Sequence, residues 1–449
     1  MSGADASPVD PVSILRSRQF PVLLVLAAAV GVVTSAVAWG FLELTYQIQQ
    51  GAYTHLPREL GFSGTPEWWS LPVLGIAGVI TALAIVRLPG TGGHIPAEGL
   101  NASPTQPIEL PGVVLAALAS IGLGAVIGPE APLIALGGGL GFLTFRLLRR
   151  DGPPQIGLLL ASASTFAAVS FLFGSPVIAA VILIEAAGLG GPMLPLVLVP
   201  GLTAAGIGSL VSIGLGQWTG LSTTHISIGT LPLAPFARPD ITDFAWTIPL
   251  AAVIALGTLL IFRLAKEVVA VVSSRPFLLL PAAGLAVAGL AIAFQEAAGK
   301  SASEVLFSGQ EALSPLVGGA GAWSLSALAL LIAFKGVAYA ISLGSFRGGP
   351  TFPAMFLGAA AGLMAGQLPG FEATPAVAVG LGAAVVAVLR LPLSAVVLAL
   401  VLTSKAGLAT GPLIILGVVV AYLTAMAISP AEVPGSTDEA PPPGSPQPT

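Results

Sequence analysis

Glu130 lies between Pro129 and Pro132 in a long stretch of sequence that carries no other charge. A carboxyl group inside apolar sequence is costly, and it marks a functional site by default. At the N-terminus of a helix, a carboxylate occupies the place of a bound anion and leaves that place when it is protonated. The pattern therefore predicts a gate, a proton carrier, or both. The competing interpretation is a structural acid that faces lipid head groups.

Three Gly/Pro segments interrupt the apolar sequence, at residues 92–96, 128–132 and 348–353. Each of them predicts the start of an apolar helix, where unpaired N–H groups and the positive end of the helix dipole are exposed. Glycine lets the backbone approach an ion closely, and proline suits the first helical turn. Three such helix starts that converge would bind a small anion without a full positive charge, which would let the anion leave again.

Other chemistries lack the residues that they need. The chain has no cysteine, and His55, His94 and His225 are isolated, so no metal-ligand spacing is present. The net charge is −4 and there is no basic tract, which argues against nucleic acid as a partner. No Ser/His or paired-acid arrangement predicts an enzyme, and no cofactor is expected.

The elements that must position these segments are membrane helices. Of the 449 residues, 55% are hydrophobic and only 8% are charged, which is too apolar for a soluble surface. We expect an all-α polytopic membrane domain at residues 21–428. Residues 1–20 are expected to be cytoplasmic because Arg16 and Arg18 precede the first apolar run, and residues 429–449 form a Pro-rich acidic tail expected to be disordered. Several apolar runs are too short to span a membrane, which predicts tilted and partial helices.

The two halves of the chain resemble each other. Pro132 and Pro353 end similar motifs 221 residues apart (353 − 132), and Pro176 and Pro392 lie in similar segments 216 residues apart (392 − 176). Near-equal offsets in the same order predict a duplication, with repeat halves at about 71–215 and 277–428.

These segments resemble the three anion-site signatures of the CLC family of chloride channels and proton/chloride exchangers, which are GSGIP, G(K/R)EGP and GxFxP. Here they correspond to residues 92–96, 128–132 and 349–353, and Lys335 and Gly344 also resemble the approach to the third signature. The resemblance implies two inverted-repeat halves, a homodimer with one pore per subunit, and chloride as the substrate. It places Glu130 on the gating glutamate. The residues implied to line the anion site are Gly92, Gly93, His94, Ile95, Pro129, Ala131, Gly349, Thr351 and Phe352.

The departures from the family pattern fall on the site itself. Gly93 replaces the site Ser, so backbone N–H groups or His94 must replace its hydroxyl. Pro129 replaces a basic residue and Ala131 a glycine. Thr351 takes the position of the site Phe, and its hydroxyl can donate a hydrogen bond, which Pro350 cannot do through its nitrogen.

Two further departures concern the transport mode. The proton glutamate of the family's exchangers falls on Ala186, and Glu185 lies one residue earlier, either as a substitute or as a structural acid. The family's site Tyr has no match, since Tyr422 lies within the last apolar run. Arg347, beside the third segment, either attracts anions or faces head groups.

We therefore expect passive or weakly proton-coupled passage of a small inorganic anion through the cell membrane. A coupled proton/chloride exchanger is the alternative. A secondary transporter of an organic or cationic substrate is the alternative of another class, and it would predict more intramembrane acids than this sequence has.

Overall fold

The computed structural model describes residues 15–18, 20–99, 105–148, 154–188, 191, 194–218 and 228–429. The described residues form helices and connecting turns. The predicted cytoplasmic segment at residues 1–14 and the predicted disordered tail after residue 429 lie outside the described residues, as does His225.

The first half of the chain contains seven described α-helices of eight residues or more. They are α1 (Phe20–Gln50), α2 (Ser70–Arg87), α3 (Leu110–Gly122), α4 (Glu130–Leu148), α5 (Pro154–Phe173), α6 (Pro176–Ala186) and α7 (Leu194–Trp218). A π-helical turn at Gly51–His55 continues α1, and a helical turn at Leu56–Glu59 follows it.

The second half contains eight such helices among its described residues. They are α8 (Ile241–Val272), α9 (Pro276–Ala298), α10 (Gln310–Gly318), α11 (Leu325–Ser345), α12 (Thr351–Ala365), α13 (Ala373–Leu389), α14 (Pro392–Leu402) and α15 (Gly411–Ile428).

Helices α4 and α6 of the first half each resemble the helix that lies eight places later in the chain, α12 and α14. Both α6 and α14 have 11 residues and begin at a proline, Pro176 and Pro392. The loops before α4 and α12 meet directly: the Gly128 N–H donates to the Gly349 carbonyl at 2.7 Å, and the Gly349 N–H donates to the Gly128 carbonyl at 2.6 Å. The halves are thus joined at the two segments whose sequences resemble each other.

Helices α12 and α13 form the centre of the fold. Every residue of α13 from Thr374 to Leu389 is buried, which is the pattern of a helix surrounded by protein. Its Gly380 lies so close to Gly358 of α12 that a methyl group on either residue would overlap the backbone of the other. Small residues let the two backbones approach, as in other packed membrane helices.

Helix lengths confirm the prediction of full and partial spans. Nine helical segments of the described residues are long and apolar enough to cross a membrane. Helices α3, α6, α12, α13 and α14 are apolar but have 17 residues or fewer, short of the roughly 20 that a bilayer core requires. The chain is an all-α, multi-pass membrane protein.

One helix prediction is wrong. Residues 92–96 do not begin a long helix: a single 3₁₀ turn, Pro96–Glu98, follows them and ends at Gly99, whose φ is 93°. That backbone conformation ends a helix, and the next described turn begins only at Pro107. The segment is an irregular loop between α2 and α3.

Candidate functional site

The carboxyl group of Glu130 lies at the N-termini of two helices. Glu130 is the first residue of α4, is only 3% exposed, and accepts a hydrogen bond at Oε1 from the N–H of Thr351, the first residue of α12. The Thr351 hydroxyl and the Phe352 N–H also lie near this carboxyl group. Oε2 is buried and has no hydrogen-bond partner among the described residues. A carboxylate therefore stands where helix N-termini bind anions.

The paired loops leave no room for side chains around this carboxyl group. A methyl group on Gly349 would overlap the carboxyl carbon of Glu130, and one on Gly128 would overlap Oε2. A side chain at either position would therefore displace this carboxyl group, because the backbone contacts the acid directly.

Two buried aromatic residues, Tyr339 and Phe173, contact the start of α12, and the sequence analysis singled out neither of them. The Tyr339 hydroxyl donates to the carbonyl of Pro350, immediately before α12. The rings of Phe352 and Phe173 stack with their centroids 5.6 Å apart and their planes 8° apart. Tyr339 is completely buried within an apolar helix. A phenol hydroxyl in such a helix needs a hydrogen-bond partner, and this need is the sequence signal that could have pointed to Tyr339.

Two cavities approach Glu130. The first cavity, of about 480 Å³, is bounded by the end of α1, the start of α2 and residues 301–312, and it reaches Pro129. The second cavity, of about 350 Å³, is bounded by residues 90–94, Thr105, Ala131 and Arg347. Because Pro129 contacts one cavity and Ala131 the other, Glu130 lies between them.

The two cavities belong to opposite ends of α2. Ser70, at the start of this helix, lines the first cavity, and residues 90–94, just after its end, line the second. A helix of 18 residues is about 27 Å long, close to the thickness of a bilayer core. The cavities therefore lie at opposite ends of a helix that is long enough to cross a membrane.

The 92–96 loop bounds the second cavity but contributes fewer donors than the sequence predicted. The Gly93 N–H is already used on the Gly90 carbonyl at 2.8 Å. His94 Nε2 lies 3.0 Å from the Gly99 carbonyl oxygen, and Nδ1 lies 3.7 Å from Glu98. Both ring nitrogens thus face other groups. Ile95, which is half-buried, presents no side-chain donor.

Burial lowers the pKa of His94 below its usual range, while Glu98 opposes the shift. A neutral His94 whose Nε2–H donates to the Gly99 carbonyl has no N–H left for an anion. The expectation that His94 replaces the missing hydroxyl is therefore not supported by this geometry.

Glu185 contacts the other half of the chain. Its carboxylate accepts the Leu393 N–H at 2.9 Å, the Ser394 N–H at 2.7 Å and the Ser394 hydroxyl at 2.6 Å. These groups are at the N-terminus of α14, so Glu185 caps that helix. Ala186 ends α6 with no titratable group, and the structure thus favours the structural interpretation of Glu185.

Lys335 is a second buried charge that sequence reasoning did not place. Its ammonium group donates to the carbonyls of four consecutive residues, Glu304, Val305, Leu306 and Phe307, at 2.9–3.3 Å. It also lies 4.5 Å from the centre of the Phe356 ring. Residues 304 and 306–307 line the first cavity, so Lys335 fixes one wall of that cavity.

These features define a membrane protein in which helix N-termini from two halves enclose one buried acid between two cavities. The family model described as voltage gated chloride channel matches residues 97–426, more than half of the chain. The chain belongs to this family, the CLC family, as its three signatures predicted.

Curated relatives and solved structures agree with the assignment. The chain is 30% identical to YfeO of Escherichia coli O7:K1 (strain IAI39), whose name gives ion transport as a provisional role, over 78% of this chain and 80% of that protein. It is similar in fold to a slow cyanobacterial Cl⁻/H⁺ antiporter, with a TM-score of 0.74, 20% identity, and coverage of 91% and 95% of the two chains.

A CLC-type fluoride/proton antiporter is also similar, with a TM-score of 0.68, 15% identity, and coverage of 91% and 96% of the two chains. At these identities the likeness concerns the fold.

Proposed function

We propose that this chain carries a small inorganic anion, with chloride as the first candidate, across the cell membrane, and that Glu130 gates the pathway. The observation that carries the proposal is the position of the Glu130 carboxyl group, buried at the N-terminus of α12 between cavities at opposite ends of α2. Membership in the CLC family supports the anion class. We further propose a homodimer with one pathway per subunit.

The gating step follows from the hydrogen bonds of Glu130. As a carboxylate, it accepts the Thr351 N–H and receives the dipole of α12. Protonation removes the negative charge and weakens this interaction, so a chloride ion can replace the carboxyl group at the same N–H groups. Low pH therefore favours the open pathway.

The transport mode that we propose is passive or weakly proton-coupled. Proton exchange needs a second titratable group toward the other side of the membrane, and Ala186 provides none. Glu185 is engaged by three donors at the start of α14, which hold its carboxylate away from a transport role.

A coupled proton/anion exchanger is the second candidate. Two solved proteins of similar fold are a Cl⁻/H⁺ antiporter and a fluoride/proton antiporter. The chain neighbours of Glu130 line both cavities, Pro129 the first and Ala131 the second, so a short movement of the Glu130 side chain would bring it to water that could deliver its proton.

Ion flux from liposomes that contain the purified protein tests the proposal. A chloride gradient is imposed, and a chloride electrode and a pH electrode in a weakly buffered bath record both ions. We expect wild-type chloride efflux that increases at low pH. Glu130→Gln should remove the pH dependence, because the amide cannot ionise. Glu372→Gln, at an exposed acid, is the matched control and should keep it.

Each outcome has a definite meaning. Chloride efflux without uphill proton movement supports the passive mode. Protons driven against their gradient by chloride replace it with the exchanger. If wild-type protein moves no halide under either gradient, the proposed function is wrong.

A further inference from the structure

We infer that the second cavity contains an anion-binding site whose positive charge is Arg347. The inference rests on the proposed function and adds to it a site where the anion binds next to the proposed gate, Glu130. The ligand class is a monovalent inorganic anion, and the site faces the membrane side on which α2 ends.

Arg347 is a buried charge that no acid neutralises directly. Its residue is 8% exposed, and within the described part of the chain no carboxylate oxygen lies within 4.0 Å of its guanidinium. Its side-chain hydrogen bonds go to two neutral carbonyls, from Nε to Thr91 at 3.3 Å and from Nη1 to Phe346 at 3.3 Å. Carbonyls satisfy N–H groups but do not cancel a charge, and a guanidinium has five N–H donors.

The cavity gives an anion access to this charge. Arg347 lines it together with residues 90–94, Thr105, and Ala131 and Pro132 at the start of α4. A volume of about 350 Å³ is large beside the roughly 30 Å³ that one water molecule occupies in the liquid, so a halide fits with part of its hydration shell. Ala131 follows Glu130, so an anion there would adjoin the gate.

Glu109, Glu98 and His94 lie near Arg347, but none of them neutralises its charge as a bound anion would. Glu109 lines the cavity, but its carboxylate accepts the Gln106 N–H at 3.1 Å and belongs to the turn before α3. Glu98 interacts electrostatically with Arg347, but its side chain is 57% exposed and solvent screens it in part, so it weakens the positive charge of Arg347 without cancelling it. His94 has both nitrogens turned toward other groups. Arg347 is therefore the group left to supply positive charge where the family's site hydroxyl is missing.

A purely structural role for Arg347 makes a different prediction. The 90–93 turn is strained, since Thr91 has a φ of 49°, and the hydrogen bond from Arg347 Nε helps to hold it. A clamp of this kind needs a donor but no charge. Substitution by Lys keeps the charge and loses the planar fork, whereas substitution by Gln keeps a donor and loses the charge.

Chloride binding to the purified full-length protein, measured by isothermal titration calorimetry, separates the two roles. We expect Arg347→Gln to weaken the chloride Kd about tenfold and Arg347→Lys to stay within about threefold of wild type. Arg87→Gln is the matched control, because Arg87 is an exposed cation at the end of α2 on the same membrane side. It should change Kd by less than about twofold, since exposed charges are screened.

A second variant keeps the test valid if Arg347→Gln does not fold. Glu98→Gln removes the acid that interacts with Arg347 from an exposed position, and should tighten the chloride Kd about two- to threefold. Two results would overturn the inference in a wild-type protein that binds and moves chloride. In the first, Arg347→Gln leaves the chloride Kd unchanged; in the second, Arg87→Gln weakens chloride binding as much as Arg347→Gln does. It is also overturned if Arg347→Gln is unfolded and Glu98→Gln leaves Kd unchanged. Absence of halide flux in wild type, by contrast, contradicts the proposed function itself.

Discussion

At the scale of single residues, the backbone of the facing loop contacts the Glu130 carboxyl group directly. Gly349 contacts its carboxyl carbon, and the Thr351 N–H donates to its Oε1. Such a contact leaves no space for another carbon atom, so the conformation of the acid depends on the absence of a side chain at residue 349.

Replacement of Gly349 by Ala should therefore displace the Glu130 carboxyl group. We expect the pH dependence of chloride flux to decrease or disappear, with about 1–3 kcal/mol of stability lost because the core is overpacked. Flux at several pH values and thermal unfolding in detergent measure the two effects. Gly321→Ala, where a methyl group meets nothing within 4 Å, is the control and should change neither. An unchanged pH profile in Gly349→Ala would contradict the proposed gate.

Glu185 is a residue-scale test of the transport mode. Removal of its carboxylate by Glu185→Ala should leave the Leu393 and Ser394 N–H groups without this acceptor and cost about 1–2 kcal/mol of stability. Because we assign it a structural role, the ratio of proton to chloride movement should not change. Simultaneous chloride and pH recordings check this, and a loss of proton movement on substitution would make Glu185 part of a proton path.

Sequence reasoning identified Glu130 because a charge in apolar sequence stands out. It could not show that Thr351 would donate to that charge, because the two residues are 221 positions apart and only the tertiary fold brings them together. The same limit explains why Tyr339 and Phe173 were missed: their roles depend on contacts across the fold, which neither residue type nor local spacing encodes.

At the scale of elements, irregular segments line both cavities. The helices were predictable from apolar length, and the short ones from Gly/Pro boundaries. The 92–96 loop was not, since its Gly/Pro pattern is the same as that of a true helix start. Gly99, with φ of 93°, ends the turn after three residues.

Lys335 should stabilise the 304–307 segment of the first cavity. Lys335→Met retains the apolar stem but leaves four carbonyls without their shared donor, so we expect a loss of about 3 kcal/mol. Thermal unfolding should show the loss, and hydrogen exchange should increase at 304–307. Lys405→Met, at an exposed lysine, should have little effect. Equal stability in the two variants would show that Lys335 is not needed for this segment.

At the scale of the whole molecule, the two cavities should be reachable from opposite sides of the membrane. The chain has no cysteine, so a single introduced thiol is unique. We expect Ser303→Cys, in the first cavity, to react with a membrane-impermeant maleimide from one side only. Thr105→Cys, in the second cavity, should react only from the other side. Labelling of right-side-out and inside-out vesicles measures this, and reaction of both thiols from the same side would contradict the arrangement.

The hydrogen-bonded pair of Gly128 and Gly349 has a consequence for the number of protons that the proposed gate binds. The two loops pair through their backbones, yet one continues into a carboxylic acid at Glu130 and the other into the hydroxyl of Thr351, 221 residues later. The paired loops thus hold one ionisable group instead of two mutually repelling ones. For the proposed gate, we therefore expect a response to acid that is a single titration, graded rather than cooperative.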